Sequence, residues 1–542
     1  MTRKDTYCVI AVLLAGVFVH GADLCSGNLG LIAEGVSCVG AQRVLDGQVP
    51  YRDFWTIYAP GGYYLLAGLF AVFGSQLLTA RVAAMTLTVL AGGCVYGLFR
   101  TRHPPVTALA WTLGVVLALF SMGHYFATYP PVLLCMTAAL AATAAYFNHR
   151  RPRWLLAAGV AVSLAVVFKH DVGGYIALSI VIALCANRLI GPPLAPPRPL
   201  GRELLVFAIG CATMAIPVYV AMWLAAGADM WRDLVVFPLT DFSASRPEHF
   251  PGIWPNVDRM TSVGRAIEEV SHRVRFLIPR VVMLASVVQL VLMRKRISAS
   301  RFGVQVMLTV AMAFFWTAAH VQINTHIYSM TILCAVLGAL WLTDIRKVKH
   351  GALARGVPVV MVMVMVLGFL PRPAFDVARM YVGQHDLMPV GLDRARHIRV
   401  DRGIAQSVHD AVTYVQVRTR PDQPVYVGVL RHDVIIAGPV LLYFLMDRPI
   451  PVRYHELHPA VADTPAVQRE MIADLRRANV VYTVLWRRFD DQALDRFHAR
   501  RKNKLPDTGA TLLDEFIHAN YRKIESFGRF EVYRRVAHAP AG

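Results

Sequence analysis

Apolar runs of bilayer length recur along this chain, and nothing constrains its fold more. They fall near residues 7–22, 80–99, 106–123, 131–147, 154–169, 172–187, 204–226, 277–293, 302–320, 327–343 and 356–371. A helix needs roughly 17–25 such residues to cross a hydrocarbon core with some tilt. Backbone polar groups find no water there, so spanning segments of this kind must be helical. The sequence therefore predicts a polytopic α-helical membrane protein with about eleven spans. Composition agrees: 56% of the 542 residues are hydrophobic and 17% charged, which would leave a water-soluble domain with too much apolar surface.

The net charge of +20 invites a nucleic-acid partner, but the placement of the basic residues argues against one. Arg3/Lys4, Arg100/Arg102, Arg150/Arg151/Arg153, Arg188/Arg198/Arg202, Arg294/Lys295/Arg296/Arg301 and Arg346/Lys347/Lys349/Arg355 occupy every second connection, while the short links 124–130 and 321–326 carry no Lys or Arg. This is the positive-inside bias of membrane proteins. It predicts a cytoplasmic N-terminus and a C-terminus on the outer side. Counting 61–74 as a span would break the alternation, so that short apolar stretch is expected to lie on the outer leaflet as a surface helix. The first span reads as an uncleaved signal anchor. Cys25 and Cys38 both fall in the first outer loop, where an oxidising compartment would permit a disulfide.

Two regions follow: a membrane domain over 1–371 and an extracytoplasmic α/β domain over 372–542. In the tail, Ile404, Val408, Val412 and Val415 recur at helical spacing behind Asp401, a plausible cap. PVYVGVL (424–430) and VVYTVLW (480–486) read as buried strands, a helix over 465–478 precedes the second, and 521–535 reads as a hairpin turning at Phe527-Gly528. No metal-ligand spacing or Gly-rich phosphate loop occurs there.

Ionisable groups held at a membrane boundary are costly and usually functional, and three outer segments carry them. The first loop has Asp23, Glu34, Asp46 and Asp53. VVFKHDVGGYIALS sets Lys169, His170 and Asp171 between two apolar runs. AAHVQINTHIY carries His320, Gln322, Asn324 and His326. His124, Tyr125 and Tyr129 in HYFATYPP complete the rim. The bland alternatives are a solvated or capping carboxylate, a Lys169–Asp171 pair at the boundary, and ordinary loop polarity.

In the first loop, Glu34-Gly35, Gly47, Pro50-Tyr51-Arg52-Asp53-Phe54, Pro60-Gly61 and the segment from Phe73-Gly74 to Arg81 occur in that order after a first span. The arrangement resembles the first-loop signature of bacterial GT-C glycosyltransferases, polyprenyl-phosphate-sugar-dependent enzymes related to protein O-mannosyltransferases and the lipid A aminoarabinose transferase. The resemblance implies a GT-C-like membrane domain and transfer of a sugar from a polyprenyl-phosphate donor, with inversion, to a glycolipid, glycan or protein acceptor. It places the reaction at the outer face of a bacterial inner membrane. One of Glu34, Asp53 and Asp23 would activate the acceptor, because deprotonating a hydroxyl needs a carboxylate near the anomeric carbon. Lys169, with Arg52 or Arg81, would offset the leaving phosphate, and Tyr51, His170, Asp171, Asn324 and His326 would line the substrate. Ala33 stands where the family has the first acid of a pair, and the second outer loop lacks the family's acid. Glu34, Asp53 and Asp23 still leave room for a divalent cation, Mg or Mn. The competing classes are a non-enzymatic flippase of lipid-linked glycans, for which no internal repeat is found, and a receptor or scaffold.

Overall fold

The computed structural model describes residues 2–122, 129–193, 198–245, 254, 256–293, 296–318, 323–345, 352–383, 386–502, 505 and 507–536. Its N-terminal part is a helical bundle. Helix α1 spans Arg3–Gly21, α2 Ala33–Leu45, α3 Gly61–Phe73, α4 Leu77–Arg100 and α5 Pro105–Ala118. The next are α6 (Pro130–His149), α7 (Pro152–Phe168), α8 (His170–Leu189) and α9 (Leu200–Ala226). After short helical turns between residues 228 and 259 come α10 (Val263–Met293), α11 (Ala299–Ala318), α12 (Ile323–Ile345), α13 (Ala352–Phe369) and α14 (Pro371–Val382). Each apolar run anticipated as a span is one of these helices. Among the described residues eight helical stretches are long and apolar enough to cross a membrane; Pro105–Ala118, Pro152–Phe168 and His326–Leu342 are apolar but shorter.

Small residues let the bundle close. A Cβ on Gly159 of α7 would lie 2.8 Å from the Gly210 Cα of α9, the close approach that membrane helices use in place of hydrophobic association. At the same crossing the Ser163 hydroxyl oxygen accepts from the Met214 and Ala215 N–H groups at 2.9 and 2.8 Å, and Thr213 Oγ1 donates to the Gly210 carbonyl at 2.7 Å. These bonds satisfy backbone groups upstream of the helix-breaking Pro217. At one end of the bundle, Asp5 meets Arg100 at 2.6 Å, and Glu203 pairs with Arg150 while accepting from the Tyr146 hydroxyl.

The other end carries a sheet domain. Its four strands, β3 (Val425–Val429), β4 (Tyr482–Trp486), β5 (Tyr521–Phe527) and β6 (Phe530–Arg535), lie in the order β3-β4-β6-β5. The first pair is parallel and the other two are antiparallel. Every residue of β3 and β4 is buried, as their unbroken apolar runs predict. The β5–β6 hairpin turns through Gly528 at φ +57°. Helix α15 (Arg402–Gln416) begins at Asp401, whose carboxylate accepts from the Gly403 and Ile404 N–H groups. It buries Val408, Val412 and Val415 but leaves Ile404 exposed. Helices α16 (Leu441–Met446), α17 (Pro465–Arg477), α18 (Asp491–Lys502) and α19 (Leu512–Asn520) complete the domain, beside a small β1 (Leu387–Pro389) and β2 (Arg399–Asp401) pair.

First loop and sheet domain share one core. Val36, Cys38, Val39 and Ala41 of α2 and Leu66 and Phe70 of α3 pack with Leu441, Phe444, Val427 and Val532. A Cβ on Gly35 would lie 2.2 Å from the Leu441 backbone nitrogen. Helix α3 packs on α2 through Tyr63, Leu66 and Phe70 and leaves Val72 and Phe73 bare, the two-faced character expected of a helix at a membrane surface. Cys25 and Cys38 are free thiols, the first exposed and the second fully buried. The Cys25 carbonyl is held by the Arg399 N–H of β2 at 2.7 Å, while Cys38 points into the shared core, so the permitted disulfide does not form.

Candidate active site at the sheet-bearing end

The break between α7 and α8 falls at Lys169, whose extended backbone (φ −159°, ψ 99°) ends one helix and caps the next. Gly61, in the first turn of α3, sits against that break. A Cβ there would lie 2.6 Å from Val167 Cγ1 and 2.8 Å from the Val167 carbonyl oxygen, so this approach requires glycine. The contact sets the N-terminus of α3, the positive end of its dipole, against the residues that precede Lys169. Lys169 Nζ donates to both Asp171 carboxylate oxygens at 2.9 and 2.8 Å. His326 of α12 is buried between Tyr175 and Phe315, with Nε2 3.7 Å from Asp171 Oδ2. Nδ1 of His326 and Nδ1 of His170 have no partner among the described residues. Lys169, Asp171 and His326 are thus brought together. His124, Tyr125, His320 and Gln322 and the side chain of Asn324 lie outside the described residues.

Glu34 and Arg81 form a buried clamp. Arg81 Nε donates to Glu34 Oε1 at 2.7 Å and Nη2 to Oε2 at 3.0 Å. Nη1 reaches the Asp23 and Leu24 carbonyls and Nη2 that of Asn28. Glu34 Oε2 also accepts from the Gly30 N–H at 2.7 Å. All five guanidinium N–H groups are thereby committed, so Arg81, expected at the phosphate, has none to offer one. Asp23 is half-buried beside this clamp.

Asp53 is built differently. Its Oδ2 accepts from the Val49 N–H at 2.7 Å and from Arg52 Nη2 at 2.8 Å, and its Oδ1 from Arg52 Nε at 2.9 Å. The side chain keeps 31% of its surface and that of Arg52 keeps 52%. The bond to Arg52 holds the Asp53 carboxyl below the usual range. Tyr51, expected at the substrate, is instead fully buried at φ +70°, its hydroxyl donating to the Tyr58 carbonyl at 2.7 Å. Among the described residues no three His, Cys, Asp or Glu side chains gather in an arrangement that could hold a metal ion.

A strap from the sheet domain, residues 452–458, holds the first loop in place and was not legible in the sequence. Arg453 Nη2 donates to the Tyr51 carbonyl at 2.7 Å, and the Trp55 N–H to the Arg453 carbonyl at 3.2 Å. Arg43 Nη1 donates to the Val452 carbonyl and to His455 Nδ1, both at 3.1 Å. Burial pushes the Arg43 guanidinium down to about 10 and keeps His455 neutral, with the charge of Arg43 acting in the same direction on the histidine. The His458 ring packs among Trp55, Phe237 and Phe242, each centroid 5.3 Å away. Beside the strap, Asp233 lies on a π-helical turn, Arg232–Val236. Its Oδ1 accepts from Arg232 Nε at 2.9 Å, its Oδ2 has no partner among the described residues, and burial pushes its carboxyl up to about 6.

The comparisons with known proteins agree with this architecture. Residues 58–223 match the family model described as dolichyl-phosphate-mannose-protein mannosyltransferase. The Archaeoglobus fulgidus oligosaccharyltransferase AglB, solved in complex with an inhibitory peptide and a dolichol-phosphate, superposes with TM-score 0.55 at 12% identity, over 98% of this chain and 74% of its own. The same organism's oligosaccharyltransferase tethered with an acceptor peptide gives TM-score 0.53 at 13% identity and the same coverage. ArnT from Cupriavidus metallidurans, bound to undecaprenyl phosphate, is 15% identical over 98% of both chains with TM-score 0.49. No curated protein sequence matches the chain. The chain is a multi-pass membrane protein with the GT-C fold: a helical bundle, a structured first loop, and a small C-terminal sheet domain.

Proposed function

We propose that this protein is a membrane glycosyltransferase. It moves a sugar from a polyprenyl-phosphate carrier to an acceptor hydroxyl at the periplasmic or outer face of a bacterial inner membrane, with inversion. The observation that carries the reading is the meeting of the two motifs: glycine-dependent contact sets the start of α3 beside the Lys169 break. A lysine beside a helix N-terminus suits a phosphate.

Asp53 is the base. Of Glu34 and Asp53 it is the more accessible, its side chain keeping 31% of its surface, whereas both Glu34 oxygens are held in the buried clamp. Asp53 takes the proton of the acceptor hydroxyl as the acceptor oxygen bonds to the anomeric carbon. The bond from that carbon to the carrier phosphate breaks on the opposite face, and polyprenyl phosphate leaves. Lys169 and the exposed Arg52 offset the charge that grows on the leaving oxygen. Glu34 and Arg81 shape the loop.

The test is transfer of labelled sugar from a panel of polyprenyl-phosphate sugars by purified protein. Wild type is compared with Asp53→Asn, Lys169→Ala and Glu34→Gln, with folding checked by thermal unfolding. Loss of transfer in folded Asp53→Asn and Lys169→Ala is expected. Binding of the carrier without transfer from any donor would sink the reading in favour of a flippase.

A further inference from the structure

A cavity of about 300 Å³ lies in the seam between α2 and the sheet domain, at the lower end of the ~300–1,000 Å³ range of small-molecule sites. Gln42 and Arg43 from the last turn of α2, Asp46 at its C-cap, Gln48 from the following loop, and Arg394, Asp447 and Arg448 from the sheet domain supply its polar wall. Arg448 is committed to backbone carbonyls and Thr419. Arg394 bonds the Phe444 carbonyl and Asp447. Asp447 holds a left-handed backbone (φ +53°) at the rim, a conformation that costs a non-glycine residue energy and persists where neighbours enforce it.

The bonding capacity left over is mixed in kind. Gln42 Nε2 donates to Asp46 Oδ1 at 2.9 Å, and Gln42 Oε1 is buried without a partner among the described residues. Gln48 Oε1 accepts from Arg43 Nε at 2.6 Å, which leaves its Nε2 to donate. The second oxygens of Asp46 and Asp447 can accept, and Arg394 Nε can donate. An amide flip at Gln42 would exchange one role for another and keep the mixture. A phosphate needs donors only and would be repelled by two carboxylates, and an apolar group would leave all of these atoms unpaired. A polyhydroxylated ring both donates and accepts. Arg43, which also lines the cavity, links it to the backbone of Asp53: it holds Gln48 through Nε and donates from Nη2 to the Asp53 carbonyl at 3.0 Å.

We propose that this seam cavity is an acceptor subsite that receives one saccharide unit of a glycan or glycolipid, joined through Arg43 to the segment that carries Asp53. The role as acceptor subsite rests on the glycosyltransferase reading; the capacity to bind a saccharide does not. Binding is therefore measured directly, by saturation-transfer NMR on the full chain in a sugar-free detergent such as an amine oxide. The probes are methyl glycosides and disaccharides of glucose, mannose, galactose and N-acetylglucosamine. Gln42→Trp fills the cavity, and Asp447→Asn removes one acceptor while keeping a residue that tolerates the left-handed backbone. Wild type is expected to bind at least one probe, with affinity at least tenfold weaker in Gln42→Trp and reduced in Asp447→Asn. Absence of binding to every probe, or equal binding by wild type and a folded Gln42→Trp, overturns the proposal. Release of labelled sugar from the polyprenyl-phosphate donor into water is read on the same samples. Loss of that activity alone counts against the glycosyltransferase reading and leaves the saccharide result standing.

Discussion

Glu34 and Asp53 belong to one loop and each is bonded to an arginine, yet their surroundings differ. The Glu34 and Arg81 side chains keep 5% and 3% of their surface, and each guanidinium N–H has an acceptor. Asp53 and Arg52 keep 31% and 52%, and both retain atoms open to solvent. A buried pair is held together because separating it leaves an uncompensated charge, whereas an exposed pair contributes little to folding and exchanges partners easily. This contrast is what supports, in the proposed reading, an architectural role for the first pair and a chemical one for the second, where sequence alone left the base open among Glu34, Asp53 and Asp23.

Asp53→Asn is the strongest challenge to this division. Removing a general base lowers turnover by about 10²–10⁴-fold, so sugar transfer should fall within that range while the unfolding temperature stays at the wild-type value. Equal loss in a folded Glu34→Gln protein, with Asp53→Asn active, would exchange the two roles.

Glu34→Ala should show the converse. Breaking a buried ion pair by removing one partner costs about 3–5 kcal/mol, and the Arg81 guanidinium would be left among carbonyls with its charge unmatched. A large drop in thermal stability is expected, with any residual folded fraction retaining donor binding. A Glu34→Ala protein as stable as wild type would show that the clamp does not hold the loop.

Much of the fold was legible because bilayer length and helical spacing are local signals. The apolar runs became helices, and the continuous stretches 424–430 and 480–486 became strands buried along their whole length. Asp401 caps its helix for the same local reason. Helix α3 was expected on the membrane surface and has the matching bare apolar face, but its other face packs into a core shared with the sheet domain. Sequence cannot display such a contact, since Phe70 and Phe444 stack at 5.6 Å across most of the chain. The strap was missed for that reason: VRYHELH has no periodicity, and its partners Arg43, Tyr51 and Tyr63 lie about 400 residues upstream. The difference between Glu34 and Asp53 was hidden as well, because burial belongs to the assembled loop and not to the motif.

Asp233 sharpens the comparison as an intermediate case, buried like Glu34 but with one oxygen lacking a partner among the described residues. Its carboxyl is raised from an ordinary 3.8 to about 6, chiefly by burial and against the pull of Arg232 and Arg453, with Asp229 acting in the raising direction. A raised folded value favours the folded state while the group is protonated. The contribution is complete below about pH 3.8 and is lost as pH rises through about 6, up to roughly 3 kcal/mol in all. Unfolding temperature measured from pH 4 to pH 7 in wild type and Asp233→Asn should therefore diverge. The wild type loses stability relative to the variant as pH rises, because asparagine never acquires the buried charge. Parallel curves would mean that the unpaired oxygen finds a partner.

Arg52→Ala carries the smallest expected effect on folding and the finest test of how the exposed pair works. The bond to Arg52 is the largest influence holding Asp53 below the usual carboxylate range, and a carboxylate so held is a weaker base. Removing Arg52 returns the Asp53 carboxyl toward its ordinary value. The acid limb of the kcat/KM profile, which reports the free enzyme's base, should then move to higher pH while the unfolding temperature stays put. At neutral pH, loss of the second cation beside the leaving phosphate lowers turnover, so the variant should show a weaker maximum on a profile displaced toward neutrality. A drop in rate with the acid limb unmoved would leave Arg52 a role at the phosphate alone. A displaced limb together with a drop would mean that one arginine sets the base and neutralises the leaving group, turning from Asp53 toward the phosphate as the donor binds.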